Sequence, residues 1–228
     1  MEDRDMENQT QFNDGRFVVP YKKGKKAITF YDSFFDIDGD AIKYDDIAII
    51  QSDALNHSFM YYIVFGKDFT YNFKFTTYDG TKHKLHRYGL SIYGMGLYKR
   101  VKEEFDVVAE PMYNIVFRKV ADRLIDRIEN GAKVNIGGLE ISKDQMVVEK
   151  RKKTIVIDRS NFDRCYSNSG AYTNFIYLHV RDEKKPVFTC SLNADNARLI
   201  VPIVNYFFEY KPSQQTAAPQ QAMPSATV

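Results

Sequence analysis

The sequence predicts an α+β, mainly β chain made of two similar antiparallel halves, each closed by a C-terminal helix and joined by a helical linker. Three observations predict it. Short apolar bursts carry most of the 17 phenylalanines and 16 tyrosines of a 228-residue chain without tryptophan, a bias that favours sheet. A helical period occupies residues 97–130, and a second follows residue 193. A strand-turn-strand pattern also returns: aligning "FDIDGDAI" on "LEISKDQM" pairs Phe35 with Leu139, Ile37 with Ile141, Asp40 with Asp144 and Ile42 with Met146 at one constant offset.

The elements follow in order. Residues 1–16 are polar and expected to be disordered. The bursts "AITFYDSFF", "IAIIQS", "FMYYIVFG", "FTYNFKFTTY" and "KHKLHRY" are expected strands. In one of them Tyr71, Phe73 and Phe75 fall on one face and Asn72 and Lys74 on the other. Asp38-Gly39 and Asp79-Gly80 supply hairpin turns. Gly94 and Gly96 suggest a flexible lead into a helix marked by Val101, Phe105 and Val108, which Pro111 should end or kink. Beyond it Val116, Val120, Leu124 and Ile128 recur every four residues. Arg118, Asp122, Arg123, Asp126 and Arg127 lie on the outer face, and Gly131 stands where a C-terminal cap belongs.

Strands resume in "KVNIGGLEIS", "MVVEK", "KTIVIDR", "NFIYLHVRD" and "KPVFTCSL". A last helix, with Asn193 or Asp195 as its cap, buries Leu199, Ile200, Ile203, Val204, Phe207 and Phe208, with Pro202 an expected kink. Residues 211–228 form a Pro-, Gln- and Ala-rich tail, again expected to be disordered.

Asp36, Asp38 and Asp40 beside Gly39 invite a metal-loop reading. An EF-hand loop needs glycine at position 6 and a carboxylate at position 12, whereas counting from Asp36 puts Ala41 and Ile47 there. A hairpin turn accounts for the stretch, and no metal ligand or cofactor is expected.

Composition narrows the function classes. A net charge of +2 from 32 basic and 30 acidic residues gives no global field for nucleic acid, and no nucleic-acid partner is expected. Cys165 and Cys190 read as separate free thiols. No apolar run is long enough for a transmembrane helix, and "MEDRDMENQT" lacks the pattern of a signal peptide. The expectation is a cytoplasmic protein, with peripheral attachment to a membrane as the second reading.

The segment "RLIDRIENGAKVNIGGLEISKDQMVVEKRKKTIVIDRSNF" resembles the start of a pleckstrin-homology-like (PH-like) domain. It is similar to an uncharacterised family in which a helix ends at a glycine and a strand of the form V-x-(hydrophobic)-G-x-L-x-I follows. The matching residues are Gly131, Val134, Ile136, Gly137, Leu139 and Ile141, with Asn193 or Asn196 opening the closing helix. The resemblance implies two bent antiparallel β-barrels, each closed by a C-terminal helix: PH-like domain 1 over 17–110, a linker helix over 111–130 and PH-like domain 2 over 131–210. It covers the first half only through the repeat, and its motifs imply a fold and no activity.

No catalytic constellation emerges. His83 and His86, three apart on a strand, point to opposite faces, and "YGMG" lacks the third glycine of a nucleotide loop. Two basic clusters stand out: Lys22, Lys23, Lys25 and Lys26 in "YKKGKK", and Lys150, Arg151, Lys152 and Lys153 in "EKRKKT". Each is a solvated loop or a contact for anionic lipid headgroups. Phosphoinositide-binding PH domains carry such residues on the first hairpin loop, which the repeat equates here with "DIDGDA" and "SKDQ". The leading functional expectation is a non-catalytic interaction or scaffold module for an unidentified protein or peptide. Anionic membrane binding is the second reading, and an enzyme with an unrecognised site the third.

Overall fold

The computed structural model describes residues 12–13, 16–150, 153–169 and 174–209. The chain is α+β and mainly β, with four antiparallel sheets. The first sheet is a meander of β1 (Phe12–Asn13), β2 (Arg16–Tyr21), β3 (Lys26–Phe30), β4 (Phe34–Ile37) and β5 (Asp40–Lys43). A 3-10 turn over Tyr44–Asp46 leads to the second, built from β6 (Ile47–Tyr61), β7 (Val64–Thr77), β8 (Lys82–Ile92) and β9 (Met95–Gly96). After a long helical rod come a four-stranded meander and a three-stranded one. The former comprises β10 (Val134–Ile136), β11 (Leu139–Ile141), β12 (Gln145–Lys150) and β13 (Lys153–Asp158); the latter comprises β14 (Phe162–Ser169), β15 (Asn174–Val180) and β16 (Phe188–Ser191).

Period-2 patterning places β7 as expected, with Phe69, Tyr71, Phe73 and Phe75 all buried, whereas the expected strands "AITFYDSFF", "FMYYIVFG" and "KVNIGGLEIS" are each broken by a turn into two antiparallel strands. Turn chemistry holds as well. Asp38 and Gly39 both take positive φ, 59° and 98°, as a type I′ turn requires, and Gly39 N–H donates to the Asp36 carboxylate at 2.9 Å. The Asp79-Gly80 turn is a three-residue loop instead. Gly80 alone has positive φ, and the Asp79 carboxylate accepts from Thr81 N–H at 2.9 Å.

Order of elements makes the two halves counterparts. β2–β5, then β6–β8, then a helix in the first half match β10–β13, β14–β16 and a helix in the second. Each strand of the first set brings matching buried residues: Val19 and Tyr21 against Val134 and Ile136, Ile28 and Phe30 against Leu139 and Ile141, Phe35 and Ile37 against Met146 and Val148. This order displaces the alignment of Phe35 on Leu139 by one strand. Hairpins with a period of two align wherever they are laid, so local patterning could not set the register.

The rod runs without a break. α1 (Tyr98–Pro111) passes through Pro111 into a π-helical segment, Met112–Phe117, and on into α2 (Arg118–Glu129). The α-helical hydrogen bonding expected to end or kink at Pro111 does end there, and helical structure continues beyond it as the wider π turn. Gly131, at φ 87°, closes α2 as expected: its N–H reaches Ile128 O at 3.0 Å and Ala132 N–H reaches Arg127 O at 3.0 Å, the two bonds of a Schellman cap. A 3-10 turn over Ala197–Leu199 opens α3 (Ile200–Phe208). Pro202 therefore falls in the first helical turn, where an N–H has no acceptor to lose, and no kink is needed.

Buried side chains of both halves form one continuous cluster, from Val19 and Phe35 through Val116 and Leu124 to Ile176 and Phe207. The closing asparagine joins the halves. Neither Asn193 nor Asp195 caps α3, and Asn196 is left-handed at φ 57° with no side-chain cap bond. Its side chain instead accepts from Ile50 N–H at 2.8 Å and donates to Ala48 O at 3.1 Å, while its own N–H donates to Ile50 O at 3.0 Å. Arg198 adds a bond to Ser52 O at 3.2 Å. Together they cover the open edge of β6 as a partner strand would.

At the N-terminus, Phe12–Asn13 pairs with β2, so part of the stretch expected to be disordered belongs to the sheet. The remaining residues of 1–16 apart from Arg16, and the tail 211–228, lie outside the described residues.

Candidate functional site

Where α2 and α3 diverge they leave a cleft of about 510 Å³. Phe117, Ala121 and Ile125 line it from the rod, and Val201, Pro202 and Tyr206 from α3. The amphipathic period of α2 produces one wall. The other is formed by Val201, Pro202 and Tyr206, with Pro202 in the first turn of α3. The floor is polar but satisfied: the Arg198 guanidinium lies 5.5 Å from the Tyr113 ring centroid, and Tyr113 Oη is 3.0 Å from Ser52 Oγ. Tyr113 belongs to the π-helical segment, so the wider turn at Pro111 decides where that ring points. At the rim Arg118 and Asp122 approach to 3.9 Å. Tyr206 Oη donates to Glu129 Oε1 at 2.9 Å. The lining suits an apolar side chain flanked by polar backbone.

A second cluster lies under α1. Glu104 is only 9% exposed, and its carboxylate accepts from Arg87 Nε at 2.5 Å, Tyr71 Oη at 2.8 Å and Lys22 N–H at 3.0 Å. Burial alone would raise its pKa; Arg87, Tyr71 and Lys22 hold it below the usual carboxylate range instead. Burial and the same carboxylate push the Tyr71 hydroxyl upward. Every lone pair has a donor, so the cluster pins the β2–β3 loop, β7 and β8 to α1.

The sequence-predicted lysines are dispersed. Lys22, Lys23 and Lys25 lie in the turn between β2 and β3 and Lys26 opens β3, with Lys22, Lys23 and Gly24 all at positive φ, 50°, 61° and 73°. The preceding strand β2 was not expected, and it makes this loop a hairpin turn. The Lys26 ammonium is taken up by the Asp38 carboxylate, which also accepts from Tyr21 Oη. Lys22 Nζ lies 5.9 Å from the Tyr21 ring centroid, while Lys23 and Lys25 are exposed. Lys150 and Lys153 are the last pair of the β12–β13 ladder in a different sheet, and both are exposed. Arg151 and Lys152 lie outside the described residues.

The remaining candidates resolve one by one. His83 sits 3.8 Å from Asp40, and His86 Nδ1 is 2.6 Å from Asn72 Oδ1 on the other face of β8. Both cysteines are free and buried, and burial pushes the Cys165 thiol up to about 12, far from a reactive thiolate. Tyr93-Gly94 is the tight turn between β8 and β9 rather than a flexible lead. At Gly96 an added Cβ would lie 2.1 Å from Leu90 O, so only glycine fits. Arg123, expected on the outer face, reaches inward and donates at 2.7 Å to the carbonyls of both Tyr44 and Asp45. Among the described residues no helix is long and apolar enough to cross a membrane, and no three His, Cys, Asp or Glu side chains converge as metal ligands would.

Sequence reasoning missed the cleft and Glu104. The cleft walls carry the ordinary pattern of an amphipathic helix, and nothing local distinguishes a buried glutamate from one on a solvated face. No protein-family model matches the chain, and comparison with curated proteins finds no match.

Proposed function

We propose that the chain is a non-catalytic interaction or scaffold module, made of two PH-like units, that holds a segment of a protein partner in the cleft between α2 and α3. With the two-residue strands β1 and β9 set aside, an order of four strands, three strands and a helix occurs twice, which supports the PH-like reading of each half. The observation that carries the functional reading is the cleft itself: an apolar groove between two helices, lined with hydrogen-bonded tyrosines and bounded by a salt-bridged rim. Such a groove takes i, i+3, i+4 anchors of an amphipathic helix. A cytoplasmic location fits two free buried thiols.

Affinity capture from native lysate, with the full chain as bait, tests the proposal. Replacing half-buried Val201 by glutamate and exposed Pro202 by serine should remove the captured partner without moving the melting midpoint by more than a few degrees. An unchanged partner set would reject the cleft as the site.

Anionic membrane binding through the lysines remains the second reading, favoured by one finding. In the strand order shared by the halves, the first hairpin loop is the lysine loop between β2 and β3 and not "DIDGDA". Lys26, however, is already neutralised by Asp38. Co-sedimentation with anionic vesicles that is lost on replacing Lys23 and Lys25 by alanine would place this reading first.

A further inference from the structure

The distal part of the β6–β7 hairpin is exposed along β6, although β8 accompanies β7 to Gly66 and Tyr98 of α1 bonds Asn56. β6 is exposed from Leu55 to Tyr61, a reach of ~23 Å at 3.3 Å per residue. It ends in a two-residue turn, Tyr62-Ile63, closed by the pairing of Tyr61 with Val64. Such turns normally carry Gly, Asn or Asp, because at least one residue must adopt positive φ. Here Tyr62 adopts it, at 55°. The neighbouring β8–β9 turn repeats the anomaly with Tyr93 at φ 50° ahead of Gly94. The two turns are fastened side by side, Tyr93 N–H donating to Phe65 O at 3.0 Å and Tyr93 Oη to Ile63 O at 2.5 Å.

The result is a convex tip of large apolar side chains in water. Tyr62 is 83% exposed, Ile63 79%, Met95 75%, Tyr61 71% and Met60 67%. No charged residue occurs in "FMYYIVFG" or "IYGMGLY". Charge begins just behind the tip and is mostly positive: Lys67 on β7, then Lys99 and Arg100 at the start of α1. The acids there are engaged, Asp68 with His57 at 3.1 Å and Glu103 with Lys99 at 3.7 Å.

We propose that this double tip inserts into the interfacial layer of a lipid bilayer, with Tyr61, Tyr62, Ile63 and Met95 among the headgroups and acyl ends and Lys67 and Arg100 facing anionic headgroups. Tyrosine suits that layer, with an apolar ring and a polar end. An uncharged cap with cations set behind it matches the order in which a protein meets lipid. The exposed tip side chains are large and uncharged, so a fluid apolar layer with anionic groups behind it is the better fit than a folded partner. This site is separate from the lysine loops and from the cleft.

The absence of tryptophan supplies the test. In the full chain, Ile63→Trp places one reporter at the tip, and Tyr78→Trp places another beside the Asp79-Gly80 loop at the opposite end of β7. With vesicles of phosphatidylcholine and phosphatidylserine at 4:1, emission of the first should shift to the blue and be quenched by brominated acyl chains, while emission of the second stays put. The double variant Tyr62→Asp/Ile63→Glu, at positions too exposed to disturb the core, should lower vesicle co-sedimentation at least tenfold. Four results would each overturn the proposal: no sedimentation of the unmodified chain at low salt, sedimentation indifferent to the double variant, sedimentation lost instead with Lys23 and Lys25, or tip-dependent self-association without vesicle binding.

Discussion

The two halves of this chain follow one plan and differ where the plan is put to use. In the first half the hairpin after the opening meander has strands of 15 and 14 residues, β6 and β7; in the second the described residues of its counterpart form strands of 8 and 7, β14 and β15. The closing helices differ as well. α3 presents Ile200, Ile203, Val204 and Phe207 to its half, all fully buried, whereas α1 presents Val101 and Val108 with Glu104 between them. A helix can thus be held on its sheets by apolar side chains alone or by a satisfied ionic cluster. The extra length of a hairpin is free to do something other than fold.

The largest effects should come from the two ways of closing. Phe207→Ala is expected to cost about 4 kcal/mol in urea unfolding, the usual range for an aromatic removed from a packed core. Glu104→Ala should cost about 3 kcal/mol, because it strands the Arg87 guanidinium beside the Tyr71 hydroxyl. If the first half can be closed as the second is, Arg87→Met with Glu104→Leu should restore most of that loss. A double variant no better than Glu104→Ala would show that the ionic cluster is required and that the halves are not equivalent.

Acid should distinguish them too. The Glu104 carboxyl is held below its unfolded value, so its contribution is present above the unfolded pKa of about 4.3 and is lost as pH falls through the lower folded value. Stability measured between pH 5 and pH 2 should fall less steeply in Glu104→Gln than in the unmodified chain. Equal slopes would remove Glu104 from the acid response.

A smaller effect should show whether the halves unfold together. Asn196→Ala deletes two bonds to the edge of β6 and leaves Ile50 N–H and Ala48 O without partners, a loss of about 2 kcal/mol. A single transition should persist, since the buried cluster is continuous across the halves. Two resolved transitions in the variant would mean that Asn196 is the principal link between separate domains.

Smallest of all is the expected change at the hairpin tip. Tyr62→Asn with Ile63→Gly installs a preferred turn and relieves a left-handed tyrosine, which should raise stability by up to about 1 kcal/mol. A loss of stability would mean that the tip packs on the body, against its exposure. A gain would show that the native turn residues are retained against the preference of the backbone.

Local physics made much of the fold legible. Alternation in "TYNFKFT" marks a strand because successive side chains leave a pleated backbone on opposite faces. Asp38-Gly39 marks a turn because few residues tolerate positive φ, and Gly131 marks a helix end for the same reason. The turn at Tyr62-Ile63 was invisible for the converse reason: its residues are strand formers, and their turn conformation is held by pairing on either side and by Tyr93 reaching Ile63 O. The strand "RFVVPY" was passed over because its alternation is short and its partners lie on both sides of lysine-rich or unpatterned sequence.

What the sequence determined by itself were properties settled within a few residues: strand and helix periods, the Asp38-Gly39 turn, the cap at Gly131 and the near-balance of charge. Tertiary structure alone decided that Asn196 bonds a strand edge 146 residues away in place of capping its own helix. It also decided that Glu104 is buried against residues 17, 33 and 82 positions distant, that helical structure continues past Pro111 as a π turn, and which strand of one half answers to which of the other. The physical reason is shared. A backbone dihedral or a periodic face is fixed by neighbours along the chain, whereas the partner of a polar group, the register of one period-2 strand against another and the opening of a cleft between helices depend on what packing brings near.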